Sequence, residues 1–314
     1  MTSKDRGIIF LPQPKSVHFT GQESRLDSEA FKALTETRNQ LSKLPDSVSL
    51  QKSPNLPGNQ AYKIQIHADS IELEATGETG WHYGVLTLRQ IALASSPRLP
   101  RCTIEDSPDF EKRAIMLDVS RNKVPKLETL FDLIDRFAQW KINELQLYIE
   151  HTFAYPGHEI VWENASPLTA DDIQELDTYC EERFIELVPN LNCFGHMSKW
   201  LVHDPYNQLA EQPEGGETDF GYRKEPQGLC PIDSGSIALA NDLIQKMTSC
   251  FKSKQVNVGC DETIDLGYGR SKESVKKKGR GIVYLDYLKK VHHLCRKEGR
   301  TMQFWADILL KYPE

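Results

Sequence analysis

No apolar run in the 314-residue sequence is long enough to cross a bilayer, which excludes a membrane-spanning helix. Positive charge is not in excess: 38 Lys and Arg stand against 45 Asp and Glu, a formal net charge of -7. That balance argues against a nucleic acid as the main partner. Cysteine is sparse and unpatterned. The seven cysteines, at 102, 180, 193, 230, 250, 260 and 295, never form a CxxC pair, which argues against a disulfide framework or a zinc site and suits a reducing compartment. In that setting the sequon Asn164-Ala165-Ser166 carries no weight. No G-x-G-x-x-G or Walker pattern follows any candidate strand, which weakens a nucleotide-binding open sheet. The opening MTSKDRGIIFLPQPK lacks the apolar stretch of a secretory signal, so a cytoplasmic location is expected.

What the sequence does hold is ample core material, with 39% hydrophobic and 26% charged residues, in two regions of different texture. Residues 1–108 begin with a Pro-rich, strand-like opening, pass through a weakly apolar helix near 28–41 and cross a Pro/Ser/Asn/Gly stretch at 53–60. Tyr62 to His67 and Ile71 to Ala75 then alternate apolar and polar about a turn at Ala68-Asp69-Ser70, as a hairpin does. A helix near 80–94 follows, with Val85, Leu88, Ile91 and Ala92 on one face. Strands followed by a helix suggest a small α+β domain.

From 109 to 314 the pattern becomes strand, helix, strand, helix. Candidate strands lie at 114–119, 143–149, 185–191, 255–260 and 301–305. The intervening helices carry apolar stripes: Leu127, Leu130, Phe131, Ile134, Phe137 and Ala138, then Ile173, Leu176 and Cys180, then Ile237, Ala240, Leu243, Ile244 and Met247. The last stripe is Leu285, Leu288, His292 and Cys295, closed by Gly299. Thr169-Ala170-Asp171-Asp172 resembles a capping box. Repeated βα units imply a parallel sheet, open or closed into a barrel.

Polar residues gather where each strand runs out: Asp118, Ser120 and Arg121; Glu150 and His151; Asn192, Gly195 and His196; Asp261 and Glu262; Trp305 and Asp307. In βα barrels that end carries the chemistry. The adjacent carboxylates Asp261 and Glu262 suggest acid/base work on a C–O bond. Taken alone, the pair reads equally as a strand-terminal Asp capping a turn beside a solvated Glu. His196 alone reads first as a structural histidine, and Trp305 as a core residue. His151, His158 and Glu159 match no familiar metal-ligand spacing, so no metal and no cofactor are expected. Cys260 reads as a small buried strand residue, since no base is specified beside it. Lys276-Lys277-Lys278 reads as a solvated helix face.

Arg113 to Arg121 (RAIMLDVSR) resembles the first barrel strand of the family 20 glycoside hydrolases, the β-N-acetylhexosaminidases. Lys141-Ile142-Asn143 with Leu145-Gln146-Leu147, Glu186 to Pro189 through Gly195-His196, Gly259 to Thr263, and Phe304 to Asp307 resemble that family's next four strands. Leu11 to Lys15, the hairpin, Gly80 to Gly84 and Ile104 to Phe110 are similar to the zincin-like α+β domain that precedes the barrel. The resemblance implies a (β/α)8 barrel, of which about the first five units are expected here, and hence a shortened chain, a gene fragment or a natural half-barrel.

It also implies an exo-acting hydrolase of terminal GlcNAc or GalNAc. In that family the sugar's own acetamido oxygen attacks C1. Glu262 would be the acid and base, with a pKa raised by an enclosed apolar pocket, and Asp261 would hold the acetamido N–H and stabilise positive charge. His196 would orient Glu262, with Glu150 as its expected partner, because the family's usual Asp residues after the second strand are replaced here by Glu150-His151. Arg113 would bind sugar hydroxyls, Trp305 would wall the acetamido pocket, and Asp307 would add a substrate contact. Successive strand residues face opposite ways, so both carboxylates reach one sugar only if the strand end bends. The other readings are a non-catalytic or vestigial sugar-binding fragment, and a barrel hydrolase for sugars without an acetamido group. The expected partner is a carbohydrate, with neither nucleic acid nor membrane.

Overall fold

The computed structural model describes residues 7–36, 41–95 and 97–312. Packing divides the chain into two units. The first comprises Met1–Arg113, Asp132–Asn143 and Glu182–Ile185; the second comprises Ala114–Phe131, Glu144–Glu181 and Glu186–Glu314.

The first unit runs β1 (Ser16–Glu23), α1 (Ser28–Glu36), β2 (Val48–Lys52), β3 (Tyr62–Ile66), β4 (Ile71–Ala75), α2 (Glu78–Ala94) and β5 (Pro100–Asp106). The helix expected near 28–41 ends at Glu36, and residues 37–40 lie outside the described residues. The five strands form one sheet in the order β1-β5-β3-β4-β2, antiparallel except where β2 runs parallel to β4. The expected hairpin is β3–β4, with Ile66 opposite Ile71 and His67 N–H donating to the Ser70 carbonyl at 2.9 Å. Its alternation buries Tyr62, Ile64, Ile66, Ile71, Leu73 and Ala75. Against them lies α2, and two glycines one turn apart permit the close approach. A Cβ at Gly80 would meet the Ala61 carbonyl oxygen at 2.4 Å, and one at Gly84 would meet Leu73 Cδ1 at 2.3 Å. Two strands escaped the sequence reading. β2 is largely exposed and has little apolar alternation, and β5 is short of apolar residues although Cys102 and Ile104 alternate into the core.

The second unit contains β6 (Ala114–Asp118), the start of α3 (Leu127–Gln139), β7 (Glu144–Ile149), α4 (Glu159–Trp162), α5 (Ala170–Glu181) and β8 (Glu186–Leu191). It continues with α6 (Ser198–Leu201), α7 (Asp204–Asn207), α8 (Ser234–Thr248), β9 (Gln255–Asn257), α9 (Lys272–Lys278), α10 (Arg280–Lys297), β10 (Thr301–Gln303) and α11 (Asp307–Lys311). Its five strands are all parallel and lie in sequence order, β10-β9-β8-β7-β6. Strand order never reverses, so the sheet has no switch point of the doubly wound kind; successive units add on one side, as in a barrel.

Local signals are obeyed where neighbours alone decide. α5 begins with a reciprocal capping box: Thr169 N–H donates to Asp172 Oδ2 at 2.8 Å and Asp172 N–H to Thr169 Oγ1 at 3.1 Å. Gly299 ends α10 at φ 69°. The α10 stripe is turned from its expected position. His292 is exposed and Leu285 only half-buried, while Tyr284, Tyr287, Leu288, Val291 and Cys295 are buried. The cause is polar: Tyr284 and Tyr287 bring their hydroxyls to the Cys260 and Cys193 carbonyls, each at 2.8 Å. β9 and β10 stop earlier than the expected 255–260 and 301–305, and beyond β9 the backbone turns left-handed at Gly259 and Cys260.

Candidate active site

The C-terminal ends of the parallel strands carry one continuous polar cluster. Past β6 the chain wraps round Asp118, whose Oδ1 accepts the N–H groups of Ser120 at 2.9 Å and Arg121 at 3.2 Å. This turn aims Arg121 back over the strand end. Its guanidinium donates to Asp118 Oδ2 at 3.0 Å and to the Tyr148 hydroxyl at 3.2 Å, and lies 3.5 Å from Glu150 Oε1. Glu150 is fixed from three sides. Tyr148 donates its hydroxyl to the carboxylate at 2.9 Å, Ser120 Oγ accepts the backbone N–H at 2.7 Å, and the buried Trp200 indole donates to the carbonyl at 2.7 Å. Glu150 Oε1 then lies 3.8 Å from His196 Nδ1.

His196 joins this half of the cluster to the carboxylates. Its Nε2 is 3.4 Å from Asp261 Oδ2 and 3.4 Å from Glu262 Oε2. Burial disfavours the charged ring, but Asp261 first, then Glu150 and Glu262, outweigh it, so the imidazole is held above its ordinary pKa. His196 thus stands between carboxylates on both sides.

Both carboxylates reach one imidazole because the strand end bends. Gly259 and Cys260 each have φ 66°, Glu262 has φ 43° and His196 φ 54°. The left-handed region costs a non-glycine residue about 1–2 kcal/mol, so several such residues together mark a conformation that the surroundings impose. Those surroundings are visible. Asn257 Oδ1 accepts the Gly259 N–H at 3.0 Å, Gly259 O accepts the Trp305 N–H at 3.0 Å, and Asp307 Oδ2 accepts the Glu262 N–H at 3.3 Å. A Cβ at Gly195 would meet the Asp261 carbonyl oxygen at 2.2 Å, so only glycine lets the two loops close on each other.

The structure therefore brings Asp261, Glu262, His196 and Glu150 together, with Asp307 and Trp305 holding the backbone of the bend. It does not bring Arg113 there. Arg113 precedes the first residue of β6, at the end of the strand away from the cluster, and belongs to the first unit. Its donors are spent on the carbonyls of Lys141, Phe110 and Glu111 and on the Tyr83 hydroxyl, at 2.7–3.1 Å. Arg121, which the sequence places at the end of this strand without assigning it a role, is the guanidinium found in the cluster, beside Tyr148. The signal was strand direction: Arg121 follows Asp118 beyond the strand, where functional groups of a parallel sheet collect.

The remaining candidates resolve as follows. Glu262 is 60% exposed at its side chain, so the described residues do not supply the expected enclosing pocket. Cys260 is fully buried with its sulfur 4.0 Å from that of Cys193, and this contact together with burial raises its pKa well above the ordinary thiol value, which suits no nucleophile. His158 is held by Tyr206 and Asp242, each at 2.6 Å. α9, with its lysine run, has no buried residue.

The model of the glycosyl hydrolase family 20 catalytic domain matches residues 110–314, and that of the family's domain 2 matches residues 13–107. A beta-hexosaminidase of Akkermansia muciniphila is 25% identical over 305 residues, covering 87% of this chain and 60% of that protein. The beta-hexosaminidase subunit beta of Mus musculus is 23% identical, covering 86% of this chain and 53% of that protein. The chain thus spans between half and two thirds of these relatives. Among solved structures, a chitobiase of Flavobacterium johnsoniae superposes with a TM-score of 0.79 at 20% identity, covering 98% of this chain and 54% of that one. A Streptomyces plicatus N-acetyl-beta-hexosaminidase in complex with Thio-NAglucal does so with a TM-score of 0.75 at 21% identity, covering 98% and 66%. These likenesses fix the fold as a βα-barrel domain with a domain preceding it. With a catalytic-domain match across the whole parallel sheet and a domain-2 match across the mixed one, the chain belongs to glycosyl hydrolase family 20.

Proposed function

We propose that this chain carries the acid/base centre of an exo-acting β-N-acetylhexosaminidase that releases terminal GlcNAc or GalNAc with retention. Residues 109–314 would hold the catalytic centre and residues 1–108 the accessory domain. The observation that carries the reading is the convergence of Asp261 and Glu262 on His196 Nε2, both at 3.4 Å. The exposed Glu262 carboxyl protonates the glycosidic oxygen as the C1–O bond breaks, while the acetamido oxygen of the same sugar closes onto C1. Asp261, a neighbour on the same bend, accepts the acetamido N–H and stabilises the oxazolinium charge. Glu262 then takes a proton from the water that reopens the ring. His196 and Glu150 orient the pair. Arg121 takes the sugar-hydroxyl role that Arg113 cannot fill, and the half-exposed Trp305 ring walls the acetamido side.

The test uses the full-length protein and two aryl glycosides. Release of 4-nitrophenol from the β-N-acetylglucosaminide and not from the plain β-glucoside is expected. Equal turnover of both would exclude acetamido participation.

A further inference from the structure

βα barrels fill their interiors with Val, Ile and Leu. Here one face of the parallel sheet carries a chain of amides instead. Gln146 on β7 is its hub, and all four of its hydrogen-bonding positions are used. Its Oε1 accepts from Asn190 Nδ2 at 2.9 Å and Asn257 Nδ2 at 3.1 Å, and its Nε2 donates to Glu144 Oε1 and Gln303 Oε1, each at 2.7 Å. Gln303 Nε2 donates on to Gln255 Oε1 at 2.7 Å. The chain ends at the catalytic bend, where Asn257, buried at the end of β9, uses its remaining oxygen to accept the Gly259 N–H at 3.0 Å.

Burying amides where aliphatic side chains would pack forfeits apolar contact and obliges every donor to be paired. What amides supply and aliphatics do not is direction. An Asx-type bond from Asn257 to the amide two residues on is the local device that starts a left-handed turn. Gly259 and Cys260 are both left-handed immediately after it, and Asp261 and Glu262 follow. Gln146 sets which way the Asn257 amide points, because donor and acceptor ends are not interchangeable.

We propose that Asn257 is a positioning residue for Asp261 and Glu262, and that Gln146 acts through it by fixing its amide. This assignment rests on the hydrolase reading above. The residues touch no substrate; they set the bend on which the carboxylates stand.

The decisive comparison is Asn257→Ser against Asn257→Ala in the full-length protein. Both lose the Gln146 contact and similar volume, but a serine hydroxyl can still accept the N–H two residues on. Asn257→Ala is expected to lower kcat about tenfold or more with KM little changed, more steeply for poor leaving groups, while Asn257→Ser keeps kcat within about threefold of the parent. Melting temperatures of the two should coincide. Equal kcat in both variants overturns the proposal, as does a Ser–Ala difference in melting temperature with none in kcat. If neither folds, the volume-conserving Gln146→Met decides: a reduced kcat at constant KM supports the proposal and an unchanged kcat overturns it. Glu262→Gln runs alongside. If it keeps full turnover, the hydrolase reading itself fails; if it is inactive and the Ser and Ala variants are equal, only the role of Asn257 fails.

Discussion

In the mixed sheet the buried alternate positions are apolar, from Tyr62, Ile64 and Ile66 across to Ile71 and Leu73. In the parallel sheet one alternate set is apolar, as Leu145, Leu147 and Ile149 show, but the other is Glu144, Gln146 and Tyr148. The first sheet draws chiefly on apolar burial, which is strong and without direction, with polar contacts gathered at one end of it, where the Tyr62 hydroxyl meets Thr87, Asp106 and Lys141. The second gives up part of that gain for hydrogen bonds that specify where a backbone turns and where a carboxylate points. A sheet that only has to persist can be read as a hydrophobic pattern. One that has to place atoms contains residues that a stability argument would remove.

The comparison breaks most readily at the bend. Glu262→Gln should lower hydrolysis of poor leaving groups by about two orders of magnitude or more while the melting temperature holds, because the side chain is 60% exposed. Steady-state rates and a thermal scan on one preparation check both halves. The converse belongs to the mixed sheet. Leu73→Ala, at a fully buried position against Gly84, should cost about 2–5 kcal/mol in denaturant unfolding. Its kcat should not move below the melting transition.

The two arginines sharpen the contrast. Arg121→Lys loses a forked donor at the strand ends and should lower kcat/KM about tenfold. Arg113→Lys loses ties to three carbonyls and should lower the melting temperature instead. The reverse pattern would restore Arg113 to the site and remove Arg121.

Two pH effects are smaller. Burial lifts the Asp265 carboxyl to about 6. Its neutral form is therefore favoured in the folded state: the cost of its charge is absent below the ordinary carboxylate value and complete above about 6. Asp265→Asn, which can still accept the Gly228 N–H, should stabilise the protein by about 1–3 kcal/mol at pH 7 and by almost nothing at about pH 3. His196 shifts in the same direction, but through its carboxylate neighbours and against its burial. Its raised pKa contributes stability that is complete below the ordinary imidazole value and is lost as pH rises through the folded value. The melting temperatures of the parent and His196→Gln should therefore differ most in acid and converge in alkali; a constant gap would mean that the ring is held by packing alone.

Much of the fold followed from short stretches of sequence, because neighbours in the chain decide it. The β3–β4 alternation, the Thr169–Asp172 box, the stripe Leu130–Ile134–Phe137 and the glycine ending α10 each depend on residues a few positions apart. The adjacency of Asp261 and Glu262, and the placing of His196 and Glu150 at strand ends, were equally plain. Three things were settled only by distant contacts. Which of the two arginines flanking β6 lies with the polar cluster depends on the direction of the strand within a parallel sheet. The facing of α10 depends on two tyrosine hydroxyls reaching carbonyls at Cys193 and Cys260. The bend itself needs left-handed residues whose local preference is against it, so it exists only where Asn257, Trp305 and Asp307, drawn from the ends of two neighbouring strands, hold the backbone in place.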